Sequence, residues 1–189
     1  MLDFGNVEVQ GGYEQKYLTP GVEVVKVTEV KAGKSAAKGS PYVEITVANN
    51  AGLTTSTQFY LNEGQAFTIS ANTFFKYIAV VNGLNMNVDA DKAKVKQMIG
   101  NVPDNDALAA KLSTLLVGKP FAMVIKGEWV NPSDSSKKSW VKAVLSNIVA
   151  PADKANTITY DASKHIKGTD ASTVTGGPAV IASSPTASW

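Results

Sequence analysis

A mainly β fold with a helical insert is what the sequence predicts, on two observations. Three strand-like runs come first, at about 21–31, 41–49 and 54–62, and two more follow at about 120–131 and 138–149. Between them, residues 70–117 carry apolar residues at the three- and four-residue spacing of helices. Three strands, a helical insertion and two strands is the sequential order of a five-stranded OB-fold barrel, with the helices between strands three and four.

The first strand is rich in β-branched residues, as strands are. Its Val24-Val25 doublet breaks strict alternation and predicts a bulge. The second and third strands are predicted to form a hairpin, because the turn signal Asn49-Asn50-Ala51-Gly52 lies between them. Alternation puts Tyr42 of one arm and Tyr60 of the other on the outward face.

Three helices are predicted in the insert from their start and stop signals. Ser70 or Asn72 begins the first, which ends at Asn82-Gly83. The second covers 89–99, and the third begins at Asp104 or Asn105 and ends before Gly118.

The last two strands each carry polar residues on their outward faces. Lys126 alternates with the apolar residues of the fourth strand, and Trp140 and Lys142 share a face of the fifth. These strands complete a predicted domain of residues 17–151. An extended lead-in, 1–16, precedes it. Residues 152–189 are predicted to be a flexible tail, because their composition cannot bury enough apolar surface.

Composition excludes several classes of function. Cysteine is absent, which removes disulfides, thiolate metal sites and cysteine nucleophiles. The only histidine, His165, lies near the start of the predicted tail, which disfavours a catalytic triad. Thr28 stands where a phosphate-binding loop around Lys34 would need glycine. We therefore expect neither an enzyme nor a bound cofactor or metal.

No secretory signal is visible, and no apolar run approaches the ~20 residues that span a membrane. These observations predict a soluble, cytoplasmic protein that does not contact membranes.

The charge of the chain favours a sequence-indifferent nucleic-acid partner. All 18 basic residues are lysine, and the net charge is only +2. Arginine is the usual reader of guanine, so its absence argues against sequence-specific duplex recognition. Lysine still neutralises phosphates as a point charge.

Outward aromatic residues next to lysines predict a surface on which single-stranded bases stack. The predicted aromatic residues are Tyr42, Tyr60 and Trp140. The predicted phosphate-contacting residues are Lys26, Lys31, Lys34, Lys38, Lys126, Lys137, Lys138 and Lys142.

Over residues 17–150 the chain resembles the bacteriophage-type single-stranded DNA-binding proteins of the OB-fold group. The resemblance lies in Lys16-Tyr17-Leu18-Thr19-Pro20-Gly21, Ser40-Pro41-Tyr42-Val43-Glu44-Ile45 and Val117-Gly118-Lys119-Pro120. It implies a role in phage-type DNA replication or recombination, with single-stranded DNA as the partner and location in the host cytoplasm. It also implies replication or recombination proteins recruited through the tail, and leaves self-association open. One departure is that Asp170 is the last acidic residue, whereas many members end in an acidic tail.

Two other classes stay open at this point. A phage virion component, decorating a capsid or joining head and tail, could use a small β-barrel with helical inserts. A carbohydrate- or peptide-binding barrel would also expose tyrosine and tryptophan.

Overall fold

The computed structural model describes residues 16–133 and 139–169. Within them the fold is mixed α/β, with 38% of residues in strands and 34% in helices. The prediction of a sheet with a helical insert is confirmed, but helix is nearly as abundant as strand, so the fold is not mainly β. The strands are β1 (Gly21–Lys34), β2 (Pro41–Asn49), β3 (Thr54–Tyr60), β4 (Pro120–Val130), β5 (Trp140–Pro151) and β6 (Ile166–Lys167).

The helices of the insert are α1 (Gln65–Val81), α2 (Asp89–Ile99) and α3 (Asn105–Leu116). The bounds of α2 and the start of α3 confirm the prediction, and the Asp104 carboxylate caps α3 by accepting a 2.8 Å hydrogen bond from the Ala107 amide. The predicted start of α1 at Ser70 or Asn72 is wrong, because the helix begins at Gln65. Gly64 precedes it and provides no side-chain cap. No helix in the described residues is long and apolar enough to cross a membrane.

Hydrogen bonds order the sheet β3-β2-β1-β4-β5, with β6 parallel to β4 as a sixth strand. The β2–β3 hairpin and the insertion of the helices between β3 and β4 are as predicted. The bulge in β1 lies between Val27 and Glu29, so its predicted position at Val24-Val25 is wrong.

The sheet curls but does not close, which corrects the predicted five-stranded barrel. Its two edges, β3 and β5, meet through threonine side chains. The Thr55 hydroxyl donates to the Ala143 carbonyl at 3.0 Å, and the Leu145 amide donates to the Thr57 hydroxyl at 2.9 Å. No main-chain ladder joins these edges in the described residues, because the hydroxyls occupy the β5 groups that a ladder would use. We call this junction the seam.

The core lies between the inner face of the sheet and the helices. Phe74, Tyr77 and Ile78 of α1 are fully buried, beside Phe121 of β4. The Tyr77 hydroxyl donates a 2.7 Å hydrogen bond to the Ser146 carbonyl of β5, and burial raises its pKa well above the ordinary value. Helix α1 therefore also holds β5 beyond the seam.

Residues 152–169 form structure, so the prediction of a flexible tail is wrong for this segment. A 3-10 helix (Ala152–Thr157) contacts β4, and α4 (Ala162–His165) leads into β6. Ala122 and Val124 alternate with core residues of β4 and are nevertheless fully buried, as a covering segment requires. Residues 170–189 of the predicted tail and 1–15 of the lead-in lie outside the described residues.

Candidate nucleic-acid interface

The outward face of the hairpin carries two tyrosines side by side. Tyr42 and Tyr60 are directly opposite in the ladder, and their ring centroids lie 5.9 Å apart at 72°. Tyr60 is 38% exposed, and Tyr42 is half-buried. We call them the tyrosine pair.

Glycine at position 33 makes room for one of these rings. A Cβ atom built on Gly33 would lie 2.5 Å from the Tyr42 ring, which therefore lies over the backbone of β1. The Tyr60 hydroxyl donates to Gln58 at 3.2 Å, and the Gln58 amide donates to Glu44 at 3.1 Å. Contacts on both sides thus fix the tyrosine pair.

A separate groove of about 400 Å³ lies where the start of β5 meets the hairpin. Trp140 is 50% exposed there and Tyr17 is 71% exposed, with Lys142 beside them. The groove has a wall of small polar side chains: Thr46, Thr54, Thr55 and Ser56. We call this the tryptophan groove.

Both features lie on one outward face. Thr46 and Ser56 are cross-strand partners, and the Glu44–Gln58 pair separates them from the tyrosine pair. Thr46 lies four positions after Tyr42 in β2, which is about 13 Å at the rise of a strand. The structure therefore brings the three predicted aromatic residues to one face, but not to one cluster.

The lysines predicted near the β1–β2 loop are exposed and differ in their surroundings. Lys31 forms a 2.8 Å ion pair with Glu29, and this hydrogen bond and charge raise its pKa. Lys34 ends β1 and Lys38 lies in the loop, which the Ser35 amide closes by donating to the Ser40 carbonyl at 2.9 Å. Lys26 is exposed on β1, next to Pro120 of β4.

The remaining predicted lysines belong to β4, β5 and the loop between them. Lys142 is exposed opposite Glu128, whose carboxylate also pairs with Lys167 at 3.6 Å. Lys126 is half-buried, next to Val144 of β5. The predicted residues Lys137 and Lys138 lie outside the described residues.

One aromatic residue and two carboxylates on this face were not predicted from the sequence as part of the site. Tyr17, at the edge of the predicted lead-in, forms a bridge to Thr54 and lines the tryptophan groove. Tyr17 directly precedes Leu18, which is buried. An apolar residue at that position could have indicated a packed segment, and packing of Leu18 also fixes the position of Tyr17. Glu29 and Glu44 add negative charge to the same outward face, which sequence reasoning did not weigh.

Candidate metal ligands are not clustered in the described part of the chain. No group of three or more histidine, aspartate or glutamate residues there could hold a metal ion. The Nδ1 atom of His165 accepts a 3.0 Å hydrogen bond from the Asp161 amide, and the imidazole ring lies against Tyr160, so this histidine has a structural role in α4.

Comparisons with known proteins do not assign the chain to a family. No protein-family model matches it, and a search of curated proteins finds no match.

Proposed function

We propose that this protein binds single-stranded DNA without sequence preference, on an OB-fold whose sheet stays partly open, and acts in phage-type replication or recombination. The observation that carries the proposal is the tryptophan groove. There Trp140 and Tyr17 are exposed beside Lys142, although exposed aromatic surface is costly in water. A bound base would cover that surface.

The chemistry of the groove fits a flexible strand. Every base has a π-face that can stack on Trp140 or Tyr17, whatever its hydrogen-bonding pattern. The Lys142 ammonium supplies a point charge for phosphate, and the hydroxyls of Thr46 and Ser56 both donate and accept hydrogen bonds. None of these groups discriminates between bases, which favours binding that is independent of sequence.

The architecture supports the same proposal. The strand order β3-β2-β1-β4-β5 and the position of the helices match an OB-fold, which is a partly open barrel. In that fold, the outer face of strands two and three and the loops after strands one and four hold oligonucleotides. The tyrosine pair lies on this face, with Lys38 in the first of those loops and Trp140 next to the second.

Salt dependence tests the proposal directly. We expect oligothymidylate to bind with an affinity that falls as salt rises, by about −0.7 in log–log slope per phosphate contact. Duplex DNA of equal length should bind much more weakly, because no arginine or recognition helix is available to read a groove. A single-strand affinity that does not change between low and moderate salt would contradict the proposal.

A virion structural role is the second candidate, and an apolar surface on α1 favours it. Phe67 and Ile69 are 48% and 55% exposed, and Phe67 borders an apolar cavity of about 330 Å³ that Phe74 and Phe75 also line. Exposed apolar side chains next to a cavity are typical of protein–protein contacts. Salt-independent assembly into large particles, without binding of single strands, would favour this candidate.

A further inference from the structure

A second groove, of about 670 Å³, lies near the end of β5 remote from Trp140. Lys76 of α1 and Lys154 of the 3-10 helix line it, and no acidic residue does. Three amide side chains, those of Asn85, Asn87 and Asn147, complete its polar lining. We call it the lysine–asparagine groove.

Local structure holds both walls of this groove in place. On one side, the β4–β5 register shifts between Met123 and Ile125, and this irregularity brings Asn147 to the groove. On the other side, the side-chain Oδ1 atom of Asn85 accepts a 2.9 Å hydrogen bond from the main-chain amide of Asn87. The main-chain amide of Asn85 donates a 3.0 Å hydrogen bond to the Asp91 carboxylate. The groove is therefore built before any ligand arrives, which limits the ordering cost of binding.

The charge of the groove fits an anionic partner. Neither Lys76 nor Lys154 forms an ion pair with any residue of the described chain. Asp91 lies behind the Asn85 wall and does not line the groove; its carboxylate accepts a hydrogen bond from the main-chain amide of Asn85 and pairs with Lys94 at 3.4 Å. Two lysines thus face solvent with their charge uncompensated, and the asparagines beside them offer donors and acceptors to base edges.

One further lysine, Lys126, lies on β4 beyond Lys142 of the tryptophan groove. Lys142 lies on the outward face of β5, and Lys126 neighbours Val144 on the same side of the sheet. From Lys142 to Val149, a lining residue of the second groove, the strand covers about 23 Å. Lys142 and Lys126 therefore supply positive charge along the first part of this path, where Glu128, the cross-strand neighbour of Lys142, is paired with Lys167 at 3.6 Å.

We propose that one single strand occupies both grooves, passing from the tryptophan groove along the outward face of β5 into the lysine–asparagine groove. The inference rests on the proposed function and extends its site. The first groove holds bases by stacking, and the second holds the phosphate backbone by charge. A short oligonucleotide fills the first groove alone, whereas a longer one reaches both.

Oligonucleotides of two lengths distinguish binding at the two grooves in an experiment on the full chain. The probes are oligothymidylates of about 5 and about 16 nucleotides, which lie near the two ends of the range of OB-fold site sizes. The test protein carries Lys76→Gln with Lys154→Gln. Its affinity for the long probe should fall about 25-fold at 0.1 M salt, since two lost contacts reduce the salt slope by about 1.4. Its affinity for the short probe should not change, which also shows that the variant is folded.

A matched control removes the same charge elsewhere. Lys92, which pairs with Asp89 at 2.8 Å, and Lys111, exposed on α3, are replaced together by glutamine. This control should bind both probes as the unaltered protein does. An equal loss in control and test variants, an unchanged salt slope, or a loss for both probes would overturn the inference while leaving the proposed function standing. If the unaltered protein binds neither probe, the proposed function fails and the inference with it.

Discussion

Replacement of Trp140 by alanine gives the sharpest test of the stacking surface. Its side chain is 50% exposed at the start of β5 and borders the tryptophan groove. If bases stack there, the indole contributes to binding and comparatively little to folding. If the indole only packs against the protein, it contributes to folding and not to binding.

The two roles change different measured quantities, the free energy of binding and the free energy of unfolding. Loss of one stacking aromatic residue costs about 1–3 kcal/mol of single-strand binding, which is about 5- to 150-fold in Kd. A fully buried aromatic side chain removes about 150–250 Å² from water, so the half-exposed indole removes at most about 125 Å². At about 25 cal/mol per Å², Trp140→Ala should therefore lower the free energy of unfolding by no more than about 3 kcal/mol.

Tryptophan fluorescence provides the assay. The chain has three tryptophans, so Trp129→Phe with Trp189→Phe leaves Trp140 as the single fluorophore. We expect oligothymidylate to quench its emission at the concentrations at which it binds. Affinity is then compared, by anisotropy of a labelled strand, among the parent, Trp140→Ala and Trp140→Phe. The phenylalanine variant keeps a stacking ring and should recover most of the lost affinity.

Two results would refute the stacking role. The first is unaltered affinity of folded Trp140→Ala, with the active fraction measured by stoichiometric titration. The second is emission from Trp140 that does not respond while the strand binds, because a stacked indole must sense the base. An equal loss of affinity in the alanine and phenylalanine variants would argue instead that the substitution disturbs the groove as a whole.

The other predictions concern the seam, the core and the tyrosine pair. Thr55→Val removes a buried donor across the seam and should cost about 1–3 kcal/mol in chemical denaturation. Tyr77→Phe leaves the Ser146 carbonyl without its 2.7 Å donor and should cost a similar amount, about 1–3 kcal/mol; no loss would mean that the carbonyl finds another partner. Gly33→Ala should displace the Tyr42 ring and weaken single-strand binding with little change in melting temperature; unchanged affinity would exclude that ring from the interface.

Local signals in the sequence predicted the elements that local physics controls. The β2–β3 hairpin follows from the Asn49 turn, whose side-chain oxygen accepts the Ala51 and Leu53 amides at 3.0 Å. Helix α2 ends at Ile99, before Gly100, whose positive φ of 67° is readily adopted by glycine. Capping by Asp104 likewise depends on residues close in the chain. Such elements are readable because their causes are adjacent residues.

Long-range contacts explain the predictions that were wrong. The seam depends on the contacts of Thr55 and Thr57 with β5. Each of its two hydrogen bonds joins residues 88 positions apart in the sequence. The segment after Pro151 has no periodic apolar face of its own, yet its 3-10 helix contacts β4, whose Ala122 and Val124 are fully buried. In both cases the partner is distant in sequence, so composition and periodicity carry no signal of the contact.

The candidate site was predictable in its residue types and not in its arrangement. Alternation places Tyr60 and Trp140 on outward faces, and both are exposed in the structure. The tyrosine pair and the tryptophan groove are separate because of the way the hairpin packs against β5. The alternation of residues along each strand does not predict how two distant strands pack. Lys31 and Glu29 are two positions apart in β1, so alternation already places them on one face, but alternation alone does not show that their side chains pair.

The open seam has a consequence for binding as well as for folding. Because hydroxyls of Thr55 and Thr57 take the β5 groups that a neighbouring strand would use, β5 stays an edge held by side chains. Its inner residues Ala143 and Leu145 join the core, while Trp140 and Lys142 remain outside it. The same strand thus anchors the fold and carries the exposed indole. A groove built on such a strand is rigid before a ligand arrives, so the stacking free energy goes largely into affinity.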